Sequence, residues 1–247
     1  MKVVLDRVEK GAALPPTSAT FESGRASLAR AETEQRPTVL GLIASGRMRP
    51  DSGTVAIDGV TDYAAMRRRI ALIDAPGVSE PAADVTVAGV VAEELMFAGR
   101  RSHPLAVRRC LRELHASEWS RSSIGTVPPA VRIRLLAELA LLRTGVDALV
   151  IVSPDRHGGD PVDWWRFARE LAGRDTAVLV VAGDASAAAI AAASLVSRMD
   201  ETGPDTFDED PGRDDTDELP DLIVEPETEP EPEPEPEPDP QPAQERE

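Results

Sequence analysis

Ser153, Asp155 and His157 stand within five residues of one another. A hydroxyl, a carboxylate and an imidazole are the parts of a nucleophilic hydrolase, but the spacing argues against that chemistry. Triad members normally converge from separated elements, and no nucleophile-elbow glycines flank Ser153. His103 follows a polar turn and precedes Pro104, and His115 ends a predicted helix, so both are expected to face solvent. Cys110 is the only cysteine, which rules out an intrachain disulfide. No Cys/His cluster has metal-ligand spacing, and no metal ligand is assigned.

A second place for chemistry is the loop Ala31–Gln35 with Arg36, Pro37 and Thr38, set between an expected strand and an expected helix. The start of a helix is a natural anion site, because its first amides are free and its dipole end is positive. The layout resembles a phosphate-binding strand–loop–helix, and that resemblance leaves Arg36, a cation, and Thr38, a hydroxyl, as the candidate cofactor-binding residues of a weak, degenerate site. Glu32 and Glu34 oppose an anion, and Pro37 has neither charge nor N–H. The bland reading is a solvated loop in which Thr38 is simply an early helix residue.

These residues need a scaffold, and apolar patterning predicts one. Strands are expected at 2–5, within 18–28, and at 55–57, 70–73, 148–152 and 178–181. The last two are short apolar runs bounded by Asp or Gly, as strands buried on both faces should be. Helices are expected at 38–45, 88–98, 105–116, 130–143, 162–173 and 185–197. Gly46 ends the first of these and Pro50 blocks its continuation. Alternation of strand and helix in the second half argues a parallel sheet flanked by helices. Trp164 and Trp165 are adjacent on one helix and cannot both face a single core, so one is expected at the surface. There it is either partly buried at the domain edge or an anchor at a protein interface.

The 247 residues carry a net charge of −17 with 41% hydrophobic and only 3% aromatic content, so alanine, leucine and valine must build the core. The charge is not spread evenly. Residues 200–247 hold 21 acidic and 2 basic side chains, a net of −19, which leaves residues 1–199 at +2. Arg67–Arg69, Arg100–Arg101 and Arg108–Arg109 are basic clusters, but a near-neutral domain gives no case for nucleic acid. The tail is a Glu-Pro repeat expected to be extended and disordered. Leu219-Pro-Asp-Leu-Ile-Val224 is its one apolar patch. The tail as a whole reads as a solubilising spacer, as a short docking motif or acidic tail that lies on basic partners, or as an electrostatic fold-back on the near-neutral domain. The N-terminal apolar run is too short for a signal peptide, and no stretch of about 18 apolar residues exists, so a cytoplasmic chain is expected.

The order of these segments resembles the ATP-binding-cassette (ABC) family of transporter ATPases. Arg49-Pro-Asp-Ser-Gly53 with Val55, Ile57, Asp58 and Gly59 resembles the turn and strand after that family's phosphate-binding helix. Counting back from Gly53, or forward from Glu22-Ser-Gly24, puts the phosphate-binding G-x-x-x-x-G-K-[ST] on Ala31 to Thr38. By the same resemblance the Q-loop glutamine falls on Ala75. The signature Leu-Ser-Gly-Gly-Gln falls on Val127, Pro128, Pro129, Ala130 and Val131. The Walker B acids fall on Val152-Ser153 or Ser153-Pro154, the D-loop on Asp160-Pro161, and the switch histidine on Gly183.

The resemblance covers roughly residues 1–198 and implies an α/β, P-loop NTPase-like sheet flanked by helices. A helical subdomain is implied near 88–125, and a disordered acidic tail follows from 200. It implies a cytoplasmic chain, possible peripheral contact with the inner face of the cell membrane, and a membrane permease or a second ABC ATPase chain as partner. ATP and Mg²⁺ would be its cofactors, but every catalytic position has changed. The expectation is a pseudo-ATPase without catalytic residues, or a scaffold or regulatory adaptor on the same fold.

Overall fold

The computed structural model describes residues 1–32, 35–201 and 222–223. In chain order the elements are β1 (Lys2–Lys10), β2 (Leu14–Glu22), β3 (Ala26–Arg30), α1 (Arg36–Ala44), β4 (Ser52–Ile57), α2 (Tyr63–Arg69), β5 (Ile70–Ile73) and α3 (Val87–Phe97). They continue with α4 (Pro104–Glu113), α5 (Pro129–Leu141), β6 (Ala148–Val152), α6 (Pro161–Ala172), β7 (Ala177–Ala182), α7 (Asp184–Glu201) and β8 (Leu222–Ile223). β2-β1-β4 form an antiparallel sheet, and β5-β6-β7-β3-β8 form a parallel one.

The parallel strands are apolar on both faces because both faces are covered. Ala71, Ile73, Leu149, Ile151, Val178 and Val180 point into a core shared with α3 to α7. Their neighbours Ile70, Leu72, Val150, Leu179 and Val181 point the other way, towards α1 and the antiparallel sheet. Each fully buried Leu or Ile side chain contributes about 1.5–3 kcal/mol. α1 lies so close to β6 that a Cβ on Gly41 would come within 2.6 Å of Val152 Cγ2.

The N-terminal half departs from the sequence expectation. One strand was expected within 18–28, yet two are present, β2 and β3. β2 contains Pro15 and Pro16, which usually exclude a strand. It is tolerated because β2 is an edge strand and the register with β1 shifts between Val8 and Lys10, beside the prolines. β1 itself bulges at Arg7, where φ is 44°. Gly53 crosses that bulge so closely that a Cβ would stand 2.1 Å from the Arg7 carbonyl oxygen, which accounts for the glycine of the Arg-Pro-Asp-Ser-Gly turn. α2 was not expected either. Asp62 caps it, accepting from the amides of Ala64 and Ala65, and Arg67–Arg69 fill its last turn, where the helix dipole favours cations.

The tryptophan expectation is corrected: Trp164 and Trp165 are both buried, at 3% and 5% exposure. α6 packs against β7 and β3 and also against α5 and α7, so neighbouring positions each find a covered side. Cys110 is buried in the helical core, and burial raises its thiol pKa. Within the segment read as an extended tail, α7 runs to Glu201, and Leu222 and Ile223 pair in parallel with Leu28 and Ala29 of β3. The remainder of that segment lies outside the described residues. Among the described residues, no helix is long and apolar enough to cross a membrane.

Candidate functional site

Because β3, β5, β6 and β7 are parallel, their C-terminal ends meet at one edge of the sheet, where α/β folds build their sites. Four chain segments leave that edge: Ala31–Glu32 after β3, Asp74 after β5, Ser153 after β6 and Gly183 after β7. Asp74 and Ser153 both turn sharply, with φ of 57° and 46°.

Asp74 is the centre of the strongest polar cluster. Arg132, on α5, grips it with both prongs: Nη2 to Oδ1 at 2.6 Å and Nε to Oδ2 at 2.9 Å. The two side chains are 1% and 4% exposed. The third arm of Arg132, Nη1, donates to the Ile124 carbonyl at 3.1 Å. From the segment after β6, His157 Nε2 lies 2.8 Å from Asp74 Oδ2, and Arg156 Nη2 lies 3.2 Å from Oδ1. Arg156 also reaches Glu80 at 2.9 Å. Burial by itself would raise the Asp74 pKa. The hydrogen bonds from Arg132 and His157, with the charges of Arg132 and Arg156, outweigh it and hold the carboxyl well below the usual carboxylate range. The cluster ties the helical side of the molecule to the strand ends and leaves both Asp74 oxygens fully engaged.

A second group closes the start of α7. Gly183 donates its amide to Asp155 Oδ2 at 2.8 Å, and Ser186 Oγ donates to the same oxygen at 3.2 Å. Asp184 donates its amide to Glu32 Oε1 at 2.8 Å. Two carboxylates, from the ends of β3 and β6, therefore take the amides at the positive end of this helix. So Ser153, Asp155 and His157 do not converge on one another. Asp155 turns to Gly183 and Ser186, and His157 turns to Asp74.

The start of α1 is different. Its N-cap is Gln35 with no side-chain cap, Arg36 and Thr38 are half-buried, and Pro37 is buried at the first turn. Glu34 lies outside the described residues. Pro37 removes one of the free amides an anion would use. The α5 start, Pro128 and Pro129, likewise has no side-chain cap. Ala75 is fully buried, and its carbonyl accepts from the amides of Val78, Ser79 and Glu80 in a tight turn. Asp160 caps α6 through the Val162 amide. His103 and His115 are both exposed, as expected, and His103 in addition caps α4. Among the described residues, no group of three or more His, Cys, Asp or Glu side chains is placed to hold a metal ion.

Sequence reasoning missed the Asp74–Arg132 pair, although a signal existed. Arg132 precedes Leu135, Leu136 and Leu139 at helical spacing, so it lies on the apolar face of α5 and needed an internal partner.

No protein-family model and no curated protein sequence matches this chain. Solved structures do. A putative ABC transporter ATP-binding protein from Pyrococcus furiosus superposes with a TM-score of 0.55 at 14% identity, over 74% of this chain and 92% of that one. A nucleotide-free ATP-binding cassette from an ABC transporter gives 0.53 at 18% identity, over 74% and 82%. A dimeric bacterial ABC transporter cassette gives 0.54 at 16% identity, over 74% and 88%. Those matches, with the parallel sheet and the covering helices, show that this chain has the fold of the ATP-binding cassettes of ABC transporters.

Proposed function

We propose that this chain is a cassette-like partner subunit of a membrane transport complex that does not hydrolyse ATP and binds nucleotide weakly or not at all. The observation that carries this reading is the filling of the strand ends by the protein's own groups. Where the resemblance puts the phosphate-binding lysine stands buried Pro37. Glu32 and Asp155 already occupy the amides of Asp184 and Gly183, beside the same edge. Phosphoryl transfer needs a cation on the phosphates, an acid to hold Mg²⁺ and a group to orient water. Val152 and Ser153 stand at the end of β6 where an acid is needed. Among the described residues, those at the strand ends do not fit a magnesium nucleotide, and Arg36 and Thr38 are the remaining candidates to touch one.

A protein partner is favoured by Met96, Phe97 and Leu105, exposed to 60%, 58% and 69% around the end of α3 and the start of α4. A membrane permease or a second ABC ATPase chain in the cytoplasm is the proposed occupant. The same surface would serve a scaffold or regulatory adaptor, which is the second reading. Calorimetric titration with ATP and Mg²⁺ tests the first claim, with no heat of binding at micromolar ATP expected. ATP turnover abolished by Thr38→Ala would overturn it. Co-purification with a multi-span membrane protein, lost in Phe97→Asp, separates the transport reading from the adaptor reading.

A further inference from the structure

A pocket of about 170 Å³ opens beside the end of β5, lined by Leu72, Asp74, Val78, Glu94, Arg47 and Arg143 among others. Its charges do not balance. Asp74 is consumed by Arg132, His157 and Arg156, and Glu94 pairs with Arg143 at 2.6 Å. Among the described residues, Arg47 has no carboxylate partner. Its Nη1 donates only to the main-chain carbonyls of Ser45 and Ile70, at 3.2 and 3.0 Å. Arg67, next to it, donates to the Gly46 carbonyl. The Arg47 residue is exposed overall, but its head group is wedged into the pocket wall. That desolvation, with repulsion from Arg143 and Arg67, lowers its pKa. Arg143 has its Nε buried without a hydrogen-bond partner. The pocket thus offers one guanidinium, Arg47, without a carboxylate among the described residues, and a second, Arg143, with a donor still unused.

The chain carries its own supply. β8 runs parallel to β3, so Ile223, its last residue, lies at the edge where β5 ends. From β8 to β5 is four strand spacings, about 19 Å. Asp239 stands 16 residues beyond Ile223. A chain of that length spans about 22 Å on average as a flexible coil and about 50 Å as polyproline II, so either form brings the far half of segment 225–239 across. In Glu225-Pro-Glu-Thr-Glu-Pro and the run from Glu231 to Pro240, a carboxylate recurs at every second residue.

We infer that the Arg47–Arg143 pocket is a docking site for an acidic peptide, and that its occupant is this chain's own segment 225–239. The glutamates would neutralise Arg47 and share Arg143 with Glu94, in direct competition with any acidic segment of a partner. The inference stands apart from the nucleotide reading, since neither Arg47 nor Arg143 belongs to the strand-end groups.

Photo-cross-linking of the full chain tests it. A benzophenone amino acid replaces Val78, an exposed residue of the pocket wall, in an equal mixture of isotopically heavy and light protein. The expected product joins residue 78 to the tryptic peptide 214–246 of the same chain, heavy to heavy and light to light. It falls to background in Arg47→Glu, and in about 0.5 M sodium chloride, where the screening length is roughly 4 Å. A second variant leaves the folded part untouched: Glu225, Glu227, Glu229, Glu231, Glu233, Glu235 and Glu237 all become Gln, and the product is again lost. Arg100→Glu with Arg101→Glu leaves it unchanged. Absence of the product, a yield indifferent to Arg47→Glu or to the neutral tail, or a product found only between heavy and light chains would each overturn the inference.

Discussion

Two regions a few residues apart treat charge in opposite ways. At the strand ends every described carboxylate has a donor: Asp74 takes Arg132, His157 and Arg156, Asp155 takes Gly183 and Ser186, and Glu32 takes Asp184. At the neighbouring pocket the cations are in excess, and Arg47 leans on carbonyl oxygens alone. In this chain, which has the fold of ATP-binding cassettes, the described strand-end carboxylates are paired within the protein and the unmet charge lies on the flank. Binding capacity follows the unmet groups, because a group already paired must lose one partner to gain another.

The comparison breaks most easily at Asp74. Asp74→Ala strands the buried Arg132 guanidinium and should cost about 3–5 kcal/mol, read by urea denaturation. A loss below about 1 kcal/mol would mean that the cluster is a passive surface network. Gly41→Leu comes next. It drives a side chain into Val152 and Leu72 and should cost about 1–3 kcal/mol or more, seen as a lower thermal midpoint. Glu32→Ala and Asp155→Ala each remove an acceptor from the start of α7, for about 0.5–2 kcal/mol apiece, with the amides of Gly183 and Asp184 exchanging faster with deuterium. If either variant acquires ATP binding, the carboxylates were blocking a competent site. Smallest in stability is Arg47→Gln, expected within about 0.5 kcal/mol of the parent because no ion pair is lost.

Acid adds a test with a definite sign. The folded Asp74 carboxyl has a depressed pKa, so the stability it lends is complete above its unfolded value of about 3.9 and drains away as pH falls towards the folded value. The stability gap between the parent and Asp74→Asn should be constant from pH 7 to about 5 and should narrow on further acidification. A gap that widens below pH 4 would contradict the charge network.

What could be seen in the sequence followed burial. β5, β6 and β7 are legible because strands covered on both faces have nowhere to place a polar residue. α3 to α7 fall within a few residues of their expected limits. β2 was illegible because its prolines are tolerated by an edge position and a register shift, neither of which is written locally. The paired tryptophans misled because one-sided packing was assumed for a helix that touches both a sheet and two helices. The first helix was expected from Thr38 and begins at Arg36, yet the groups that fill the edge, Glu32 with Asp184 and Asp155 with Gly183, come together only across separations of 152 and 28 residues. No local pattern encodes such pairs.

The pairing of Leu222 and Ile223 with β3 has a bearing on how the chain is made. Twenty residues separate the end of α7 from this short strand, and until they have emerged during synthesis one side of β3 carries main-chain groups with no ladder partner. A chain halted before Leu222 would present a bare sheet margin to its neighbours, the template on which nascent β proteins clump.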